Sequence, residues 1–157
     1  MGNIEIKGKK RKEILEKARE IIKKWGLVLP SDYILVLDFG LGEFEKIGHI
    51  EFFIVNRERQ NYCGKFIFMF KGQTCPVHYH KKKDETFFIV KGKVKMVYNR
   101  KVKILYPGDV LIMPVNTEHT FTGLESSLLL EVSNASILKD NFFKDDKINK
   151  NILVISQ

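Results

Sequence analysis

The first regular pattern of apolar and polar positions along the chain is helical. In residues 11–25 (RKEILEKAREIIKKW) the apolar residues follow the spacing i, i+1, i+4, i+7, i+8, i+11, which places them on one face of a helix. Gly26 follows at a position suited to a helix C-cap, and Pro30 disfavours continuation of the helix. The pattern predicts one amphipathic helix over about residues 11–25.

Beyond residue 33 the pattern changes to short strands rich in aromatic and β-branched residues. The turn signals between them include Pro107-Gly108-Asp109 and Gly123. Many short strands at this spacing predict an all-β sandwich or barrel. The segments with this character are 49–56, 65–70, 86–99, 101–114 and 119–133, and ILVI at 152–155 is expected to be a last edge strand.

Length and charge exclude several classes of function. A chain of 157 residues suits one domain with a sizeable core. The net charge of +8 comes from dispersed lysines, without a basic stripe interleaved with aromatic residues, so we expect no nucleic-acid partner. We also expect no membrane partner and a cytoplasmic protein, because no apolar run has the length of a membrane span or a signal segment. Cys63 and Cys75 are then expected to be reduced thiols.

Candidate chemistry begins with two histidines one residue apart, in the segment GQTCPVHYHKKKDETFFIVKG at 72–92. Side chains at i and i+2 of a strand share a face, so His78 and His80 would point the same way. Glu85 could complete a set of ligands for Mn, Fe, Co, Ni or Zn. An H-x-H pair also arises by chance in polar hairpins, so the pair alone leaves metal binding and an incidental arrangement both open.

The spacing around the pair resembles the two sequence motifs of the cupin superfamily. The motif positions are Gly72, His78, His80, Glu85 and Gly92, followed by Gly108, Pro114 and His119. The resemblance implies an all-β fold, the cupin double-stranded β-barrel or jelly roll, with the amphipathic helix at its N-terminal side. It also implies one divalent metal ion inside the barrel, bound by His78, His80, Glu85 and His119. Of the four histidines, only His49 is left without a role.

Further segments resemble the D-lyxose isomerase family of cupins over about residues 25–148. They are LDFGLGEFEKIG at 37–48, NYCGKF at 61–66, KDETF at 83–87, MPVNTEHTF at 113–121 and LLEVSNAS at 129–136. The resemblance implies metal-dependent interconversion of D-lyxose and D-xylulose, with D-mannose and D-fructose as a related pair. Manganese is the implied metal, with Co, Ni, Fe or Zn as alternatives, and the implied assembly is a homodimer. We expect a single cupin domain over 1–157, with a barrel at about 33–133 and a C-terminal extension at 134–157.

Three residues fit the catalytic roles of such an isomerase by their positions. Moving a proton between C1 and C2 calls for a carboxylate, and the oxygen charge calls for a nearby cation. Glu131 lies inside the apolar strand LLLEVS, where an acid is costly without a partner, and is the predicted proton shuttle. Lys65 and Lys83 are the predicted cations. The alternatives are that Lys65 and Glu131 face solvent from their strands, and that Lys83 belongs to a solvated charge run.

Four positions depart from the family's usual residues, and they put the identity of the sugar in question. They are Tyr79, Phe88, Thr120 and Asp146, which we expect to line the sugar pocket or its rim. Three other functions stay open at this point: a cupin dioxygenase, a sugar-phosphate isomerase whose anion site would involve the lysines at 81–83, and a non-catalytic cupin that binds a metal or a sugar.

Overall fold

The computed structural model describes residues 2–155, which form two helices, eleven strands and two short 3-10 turns, at Gly2–Ile4 and Leu138–Asp140. The helices are α1 (Gly8–Lys24) and α2 (Asp146–Ile155). The strands are β1 (Ile34–Leu37), β2 (His49–Arg57), β3 (Tyr62–Met69), β4 (Thr74–Tyr79), β5 (Glu85–Lys91), β6 (Val94–Tyr98), β7 (Lys101–Leu105), β8 (Val110–Met113), β9 (His119–Gly123), β10 (Ser127–Ser133) and β11 (Phe142–Phe143). In this part of the chain, neither helix has the length and apolar character needed to cross a membrane.

The strands form two antiparallel sheets that face each other as a barrel. One sheet has the order β1-β2-β3-β10-β5-β8 and the other the order β11-β4-β9-β6-β7. From β5 to β10 the chain repeatedly crosses between sheets, so β5 and β6, β7 and β8, and β9 and β10 are neighbours in sequence but not in a sheet. This connectivity is a jelly roll, and the predicted all-β double-stranded barrel is confirmed.

The turns that the sequence marks most strongly are crossings between the two sheets. Gly92, between β5 and β6, has φ +86°, and a Cβ there would collide with Ser127 and with the carbonyl oxygen of Ser126. Only glycine fits this corner. At the next crossing Gly108 has φ +95°, and the Asp109 carboxylate accepts the N–H of Tyr106 at 2.7 Å. These turns therefore lead the chain from one sheet to the other, and they do not join neighbouring strands of one sheet as hairpin turns would.

Helix α1 covers half of the outer face of the six-stranded sheet. It begins at Gly8, three residues before the expected start, and ends at Lys24. Burying each aliphatic side chain contributes about 1.5–3 kcal/mol, so this layer holds the helix on the barrel. The helix residues buried there are Ile14, Leu15, Ala18 and Ile22, which pack on Val36, Ile50, Phe52, Phe68 and Leu128.

The C-terminal extension closes one end of the barrel. Residues 152–155 belong to α2, so the expectation of a last edge strand is wrong. The reason is visible in the packing: Ile148 and Ile152, four residues apart on one helical face, are both buried in the interior cluster. Strand β11 pairs with β4, which sets Phe143 opposite His78.

Candidate metal centre and active-site cavity

The barrel encloses a cavity of about 100 Å³. A single water requires roughly 10–15 Å³ on the same measure, so the space admits a small polyhydroxylated molecule. Aromatic and aliphatic side chains form part of its wall, including Leu35, Leu37, Phe53, Phe87, Phe121 and Phe143. Seven histidine, lysine and glutamate side chains also line it: His49, Glu51, Lys65, His78, Lys83, Glu85 and Glu131. The wall of the cavity therefore combines apolar side chains with charged ones.

Three buried histidines converge on one point beside this cavity, and one of them, His78, lines it. His78 lies in β4, His80 follows one residue after the strand ends, and His119 begins β9 directly opposite His78. Their ligand atoms all lie within 4.8 Å of one another. The structure thus brings together the three histidines that the sequence motifs named, from two strands of the same sheet.

The hydrogen bonds of the three rings leave their inner nitrogens free to bind a cation. The Nδ1 atoms of His78, His80 and His119 lie 2.8, 2.9 and 2.9 Å from the carbonyl oxygens of Pro76, Asp140 and Thr117. An Nδ1–H that donates to a carbonyl leaves the Nε2 lone pair as the ligand. Burial, reinforced by the neighbouring imidazoles, holds the pKa of His78 well below its ordinary value, which favours the neutral, ligating form.

Glu85, the first residue of β5, lies beside two of these histidines. Its Oε2 is 3.2 Å from Nε2 of His119, and its Oε1 is 3.5 Å from Nε2 of His80. Burial alone would raise the pKa of Glu85, but the adjacent Lys83 ammonium, 2.6 Å away, holds it well below the ordinary range. An ionised carboxylate against neutral imidazoles is the donor set that a divalent cation prefers.

Unsatisfied polar atoms test whether a metal ion fits these residues. Among the residues the structure describes, Nε2 of His80, Nε2 of His119 and Oε2 of Glu85 are buried without a hydrogen-bond partner. Each buried, unpaired polar atom costs about 1–3 kcal/mol. A cation bound by all three would satisfy them together, so the residues fit a metal centre.

The three predicted catalytic residues are buried and line the same cavity. Glu131 accepts from Lys83 Nζ at 3.0 Å through Oε1, and its Oε2 is 3.7 Å from Lys65 Nζ. Burial would lower the pKa of both lysines, but the neighbouring carboxylates raise both above the ordinary value. The alternatives in which these residues face solvent are wrong, since each is at most 5% exposed.

Two further residues of the cavity escaped the sequence reasoning. Glu51, on β2, accepts from Lys65 Nζ at 2.9 Å and from His49 Nε2 at 3.1 Å. Burial would raise the pKa of Glu51, but the charge of Lys65 and the His49 hydrogen bond lower it. Glu51 carried the same signal as Glu131, an acid within an apolar strand, in HIEFFIVN. His49 lies outside both motifs.

Asp140 holds the loop that carries two site residues, and nothing in the local sequence marked it. Its carboxylate accepts the backbone N–H groups of Lys81, Lys82 and Lys83 at 3.0–3.2 Å. Its own carbonyl oxygen pairs with Nδ1 of His80. One buried residue of the C-terminal extension therefore orients both a candidate metal ligand and a candidate catalytic lysine.

The four departures from the family's usual residues do not line the cavity. Tyr79 stacks on Phe142 with ring centroids 5.2 Å apart, and Phe88 is 38% exposed on the outside of the barrel. The Thr120 hydroxyl donates to a backbone carbonyl of β4, and Asp146 begins α2. The expectation that they line the sugar pocket is wrong, because the cavity is built from inward-facing positions of the strands and these side chains lie elsewhere.

Comparison with known proteins agrees with this architecture. A family model described as the cupin domain matches residues 66–132. The solved L-ribose isomerase of Acinetobacter sp. DL28, in complex with L-ribose, superimposes with a TM-score of 0.76 over 98% of both chains at 16% identity. An L-ribose isomerase of Cellulomonas parahominis gives a TM-score of 0.73 over 96% of this chain and 97% of its own, also at 16% identity. These likenesses establish the cupin fold.

Proteins related in sequence show to which family of cupins the chain belongs. The D-lyxose/D-mannose isomerase of Thermosediminibacter oceani is 32% identical over 92% of this chain and 96% of its own length. The D-lyxose ketol-isomerase of Thermofilum sp. is 31% identical over 88% of this chain and 93% of its own. Similarity at this level extends over essentially whole chains, and it includes the barrel that holds the histidine cluster. The chain therefore belongs to the D-lyxose isomerase family of the cupin superfamily.

Proposed function

We propose that this protein is a divalent-metal-dependent aldose–ketose isomerase acting on a small, unphosphorylated sugar. D-lyxose and D-xylulose are the first candidate pair, and D-mannose and D-fructose the second, because the relatives carry these names. One observation carries the proposal: His78 and Glu85, two members of the cluster formed with His80 and His119, line the same cavity as Glu131, a carboxylate that is held between two buried lysines.

The metal centre would be held by His78, His80, His119 and Glu85. Three imidazoles and one carboxylate suit several first-row ions, with manganese as the first candidate and Co, Ni, Fe or Zn as alternatives. A divalent ion held there would supply Lewis-acid stabilisation of negative charge that develops on the sugar oxygens. The hydrogen bonds of the three Nδ1 atoms fix the orientation of the rings before the ion arrives.

Each of the other three charged residues, Glu131, Lys65 and Lys83, has a separate role in the reaction. Glu131 takes the proton from C2 of the aldose and delivers a proton to C1, while the proton of the C2 hydroxyl passes to O1, so that the aldose becomes the ketose. Lys65 donates an N–H toward the oxygen on which charge builds, and it is held for that task by Glu51 on its other side. Lys83 contacts both Glu85 and Glu131, so it keeps the candidate ligand and the candidate base in fixed relative positions.

The distribution of charge favours a neutral sugar over a sugar phosphate. Lys65 lies between Glu51 and Glu131, and Lys83 lies between Glu85 and Glu131, so neither buried ammonium is available for a phosphate. Of the other two lysines of the suspected anion site, Lys82 is exposed, and Lys81 places its ammonium 4.5 Å from the ring centroid of Phe142. A convergent anion site is not formed by these lysines.

We also propose a homodimer through the outer face of the six-stranded sheet. The half that α1 leaves uncovered exposes large apolar side chains: Phe88 (38%), Val110 (56%), Ile112 (64%) and Val132 (51%). The strands that carry them are adjacent, since β5 pairs with both β8 and β10. A contiguous apolar patch of this kind is typical of a protein interface.

The test is a substrate and metal screen on metal-stripped protein resupplied with Mn, Co, Ni, Fe or Zn. We expect conversion of D-lyxose to D-xylulose with at least one ion, and slower or no conversion of phosphorylated sugars. Failure of every free pentose and hexose with every ion would refute the assignment.

Three variants then assign the residues. Glu131→Gln keeps size and hydrogen bonding, and should lower kcat by about 10²-fold or more with metal content unchanged. Lys65→Met should also lower kcat with the metal retained, whereas His80→Ala should lose both. Lys101→Met, an exposed lysine on β7, is the matched control and should behave as the parent. Full activity of Glu131→Gln would show that Glu131 is structural.

A further inference from the structure

We propose that His49 and Glu51 form a second polar subsite of the cavity, which binds the terminal hydroxyl group of the sugar at the end away from the metal centre. The inference rests on the proposed function, because it names the part of the substrate that this end of the cavity receives. Neither residue belongs to the cupin motifs, and neither has a partner among the candidate metal ligands.

His49 is placed inside the cavity by two aromatic contacts. It opens β2 and is only 3% exposed. Its ring stacks on Phe121 with centroids 6.3 Å apart and 13° between planes, and it meets Phe39 edge-on at 5.4 Å. The phenyl groups on either side fix the ring but offer its nitrogens no hydrogen-bond donor.

The subsite lies at a suitable distance from the metal centre for one sugar molecule to reach both. Phe121 is two residues along β9 from His119, so the two side chains share a face and their positions differ by roughly 7 Å. His49 stacks on the ring of Phe121 and not on a ring of the histidine cluster. The separation of the two positions along β9 is comparable with the length of an extended five-carbon chain, whose O1 and O2 would lie toward the histidines.

The hydrogen bonds of His49 determine what it can bind. Its Nε2 is 3.1 Å from Oε1 of Glu51, and that oxygen also accepts from Lys65 Nζ at 2.9 Å. An ionised carboxylate only accepts hydrogen bonds, so Nε2 of His49 donates to it, and in that tautomer of imidazole Nδ1 is an acceptor. A group that donates one hydrogen bond, such as an alcohol hydroxyl, matches this acceptor, whereas a phosphate or carboxylate does not.

The acceptor is also unsatisfied in the protein itself. Within residues 2–155, Nδ1 of His49 is one of four buried side-chain polar atoms without a hydrogen-bond partner, and the other three belong to the candidate metal ligands His80, Glu85 and His119. An unpaired buried acceptor costs about 1–3 kcal/mol. The pattern of unsatisfied atoms therefore marks two ligand-binding points at the cavity, one for the metal and one for the distal hydroxyl.

The experiment removes the acceptor Nδ1 of His49 from the protein and the C5 hydroxyl from the sugar, first separately and then together. Values of kcat/KM are measured for the parent and for His49→Phe on D-lyxose and on 5-deoxy-D-lyxose. Phenylalanine retains the contacts with Phe39 and Phe121 but lacks both ring nitrogens. We expect the parent to prefer D-lyxose by about 10-fold or more, which corresponds to one buried hydrogen bond, and His49→Phe to lose that preference with unchanged metal content.

Controls separate the subsite from general damage to the cavity. Ile67→Val shortens an apolar cavity side chain and should change both sugars alike. If the melting temperature shows that His49→Phe does not fold, His49→Leu replaces it. Equal losses on the two sugars, or no loss on D-lyxose, would overturn the proposal, since Nδ1 would then serve packing or a water molecule only.

The subsite can be judged even if the isomerase assignment fails. Binding of the two alditols obtained by reducing D-lyxose and 5-deoxy-D-lyxose is then measured by calorimetry on the parent and on His49→Phe. A parent that prefers the alditol with the C5 hydroxyl, and a variant that does not, would support the subsite without any turnover. Equal binding of both alditols by the parent would overturn it.

Discussion

Replacing Asp140 by alanine should weaken both the fold and the metal centre, although Asp140 is neither a ligand nor a catalytic group. Its carboxylate accepts the backbone N–H groups of Lys81, Lys82 and Lys83. Hydrogen bonds to a charged group are worth about 1.5–3 kcal/mol each. The lysine at 83 is buried, while those at 81 and 82 are exposed and water can partly replace their bonds. We expect a total loss of about 3–4 kcal/mol, or roughly 10 °C in Tm for a domain of this size.

The loss should extend to the metal because the released loop begins at His80. Outer partners of metal-bound histidines typically contribute about 10- to 100-fold in metal affinity, so Asp140→Ala should reduce affinity by that factor in a competition titration with a chelating dye. Asp140→Asn retains an acceptor oxygen without the charge and should fall between the parent and the alanine variant.

Asp84→Ala is the matched control, since Asp84 is an exposed acid in the same loop. It should change stability by no more than about 0.5 kcal/mol and leave metal affinity unaltered. If Asp140→Ala binds the metal as tightly as the parent while melting at a lower temperature, Asp140 supports the fold alone and does not position His80.

Three other outcomes are expected. Glu51 has a pKa below its ordinary value of 4.5, so its contribution to stability is complete above pH 4.5 and is lost as the pH falls below that value. The difference in Tm between the parent and Glu51→Gln should therefore shrink in acid. A difference in Tm that does not depend on pH would contradict the role of the Lys65 ion pair. Isomerisation in D2O should place solvent deuterium on C1 of the ketose, as detected by NMR, because the proton held by Glu131 exchanges with solvent before it reaches C1. A ketose without deuterium, together with full activity of Glu131→Gln, would remove the role of Glu131. Ile112→Glu should convert the proposed dimer to a monomer in light scattering, while Val102→Glu, at an equally exposed position of the other sheet (64% for both), should not. A parent that is already monomeric would refute the proposed interface.

The sequence was most informative where function depends on local spacing. That His78 and His80 share a face follows from the alternation of side chains along a strand. Glu131 was predicted from the cost of an acid in an apolar strand. The full ligand set, with Glu85 and His119, came from the resemblance to the two cupin motifs.

Pairings between distant segments could not be predicted in the same way. Glu51 meets Lys65 diagonally across β2 and β3, because Glu51 lies opposite Ile67 and Phe53 lies opposite Lys65; no sequence pattern marks that register. Asp140 meets its loop across 57 to 59 positions of sequence. The prediction of a strand at 152–155 was wrong because a short apolar run does not by itself distinguish a strand from a helix. The burial of Ile152 in the core stabilises the helix.

Asp140 also sets the order in which the site can be completed during synthesis. A growing chain emerges from its N-terminal end, so the four candidate metal ligands are all present once residue 119 has appeared. The carboxylate that holds the 81–83 loop, and the carbonyl that orients His80, arrive only with residue 140. Phe143, which lines the cavity, and Ile148, which fills the core behind it, follow later still. A nascent barrel therefore passes through an interval in which all four candidate ligands are present but the contacts that orient His80 and the 81–83 loop are not.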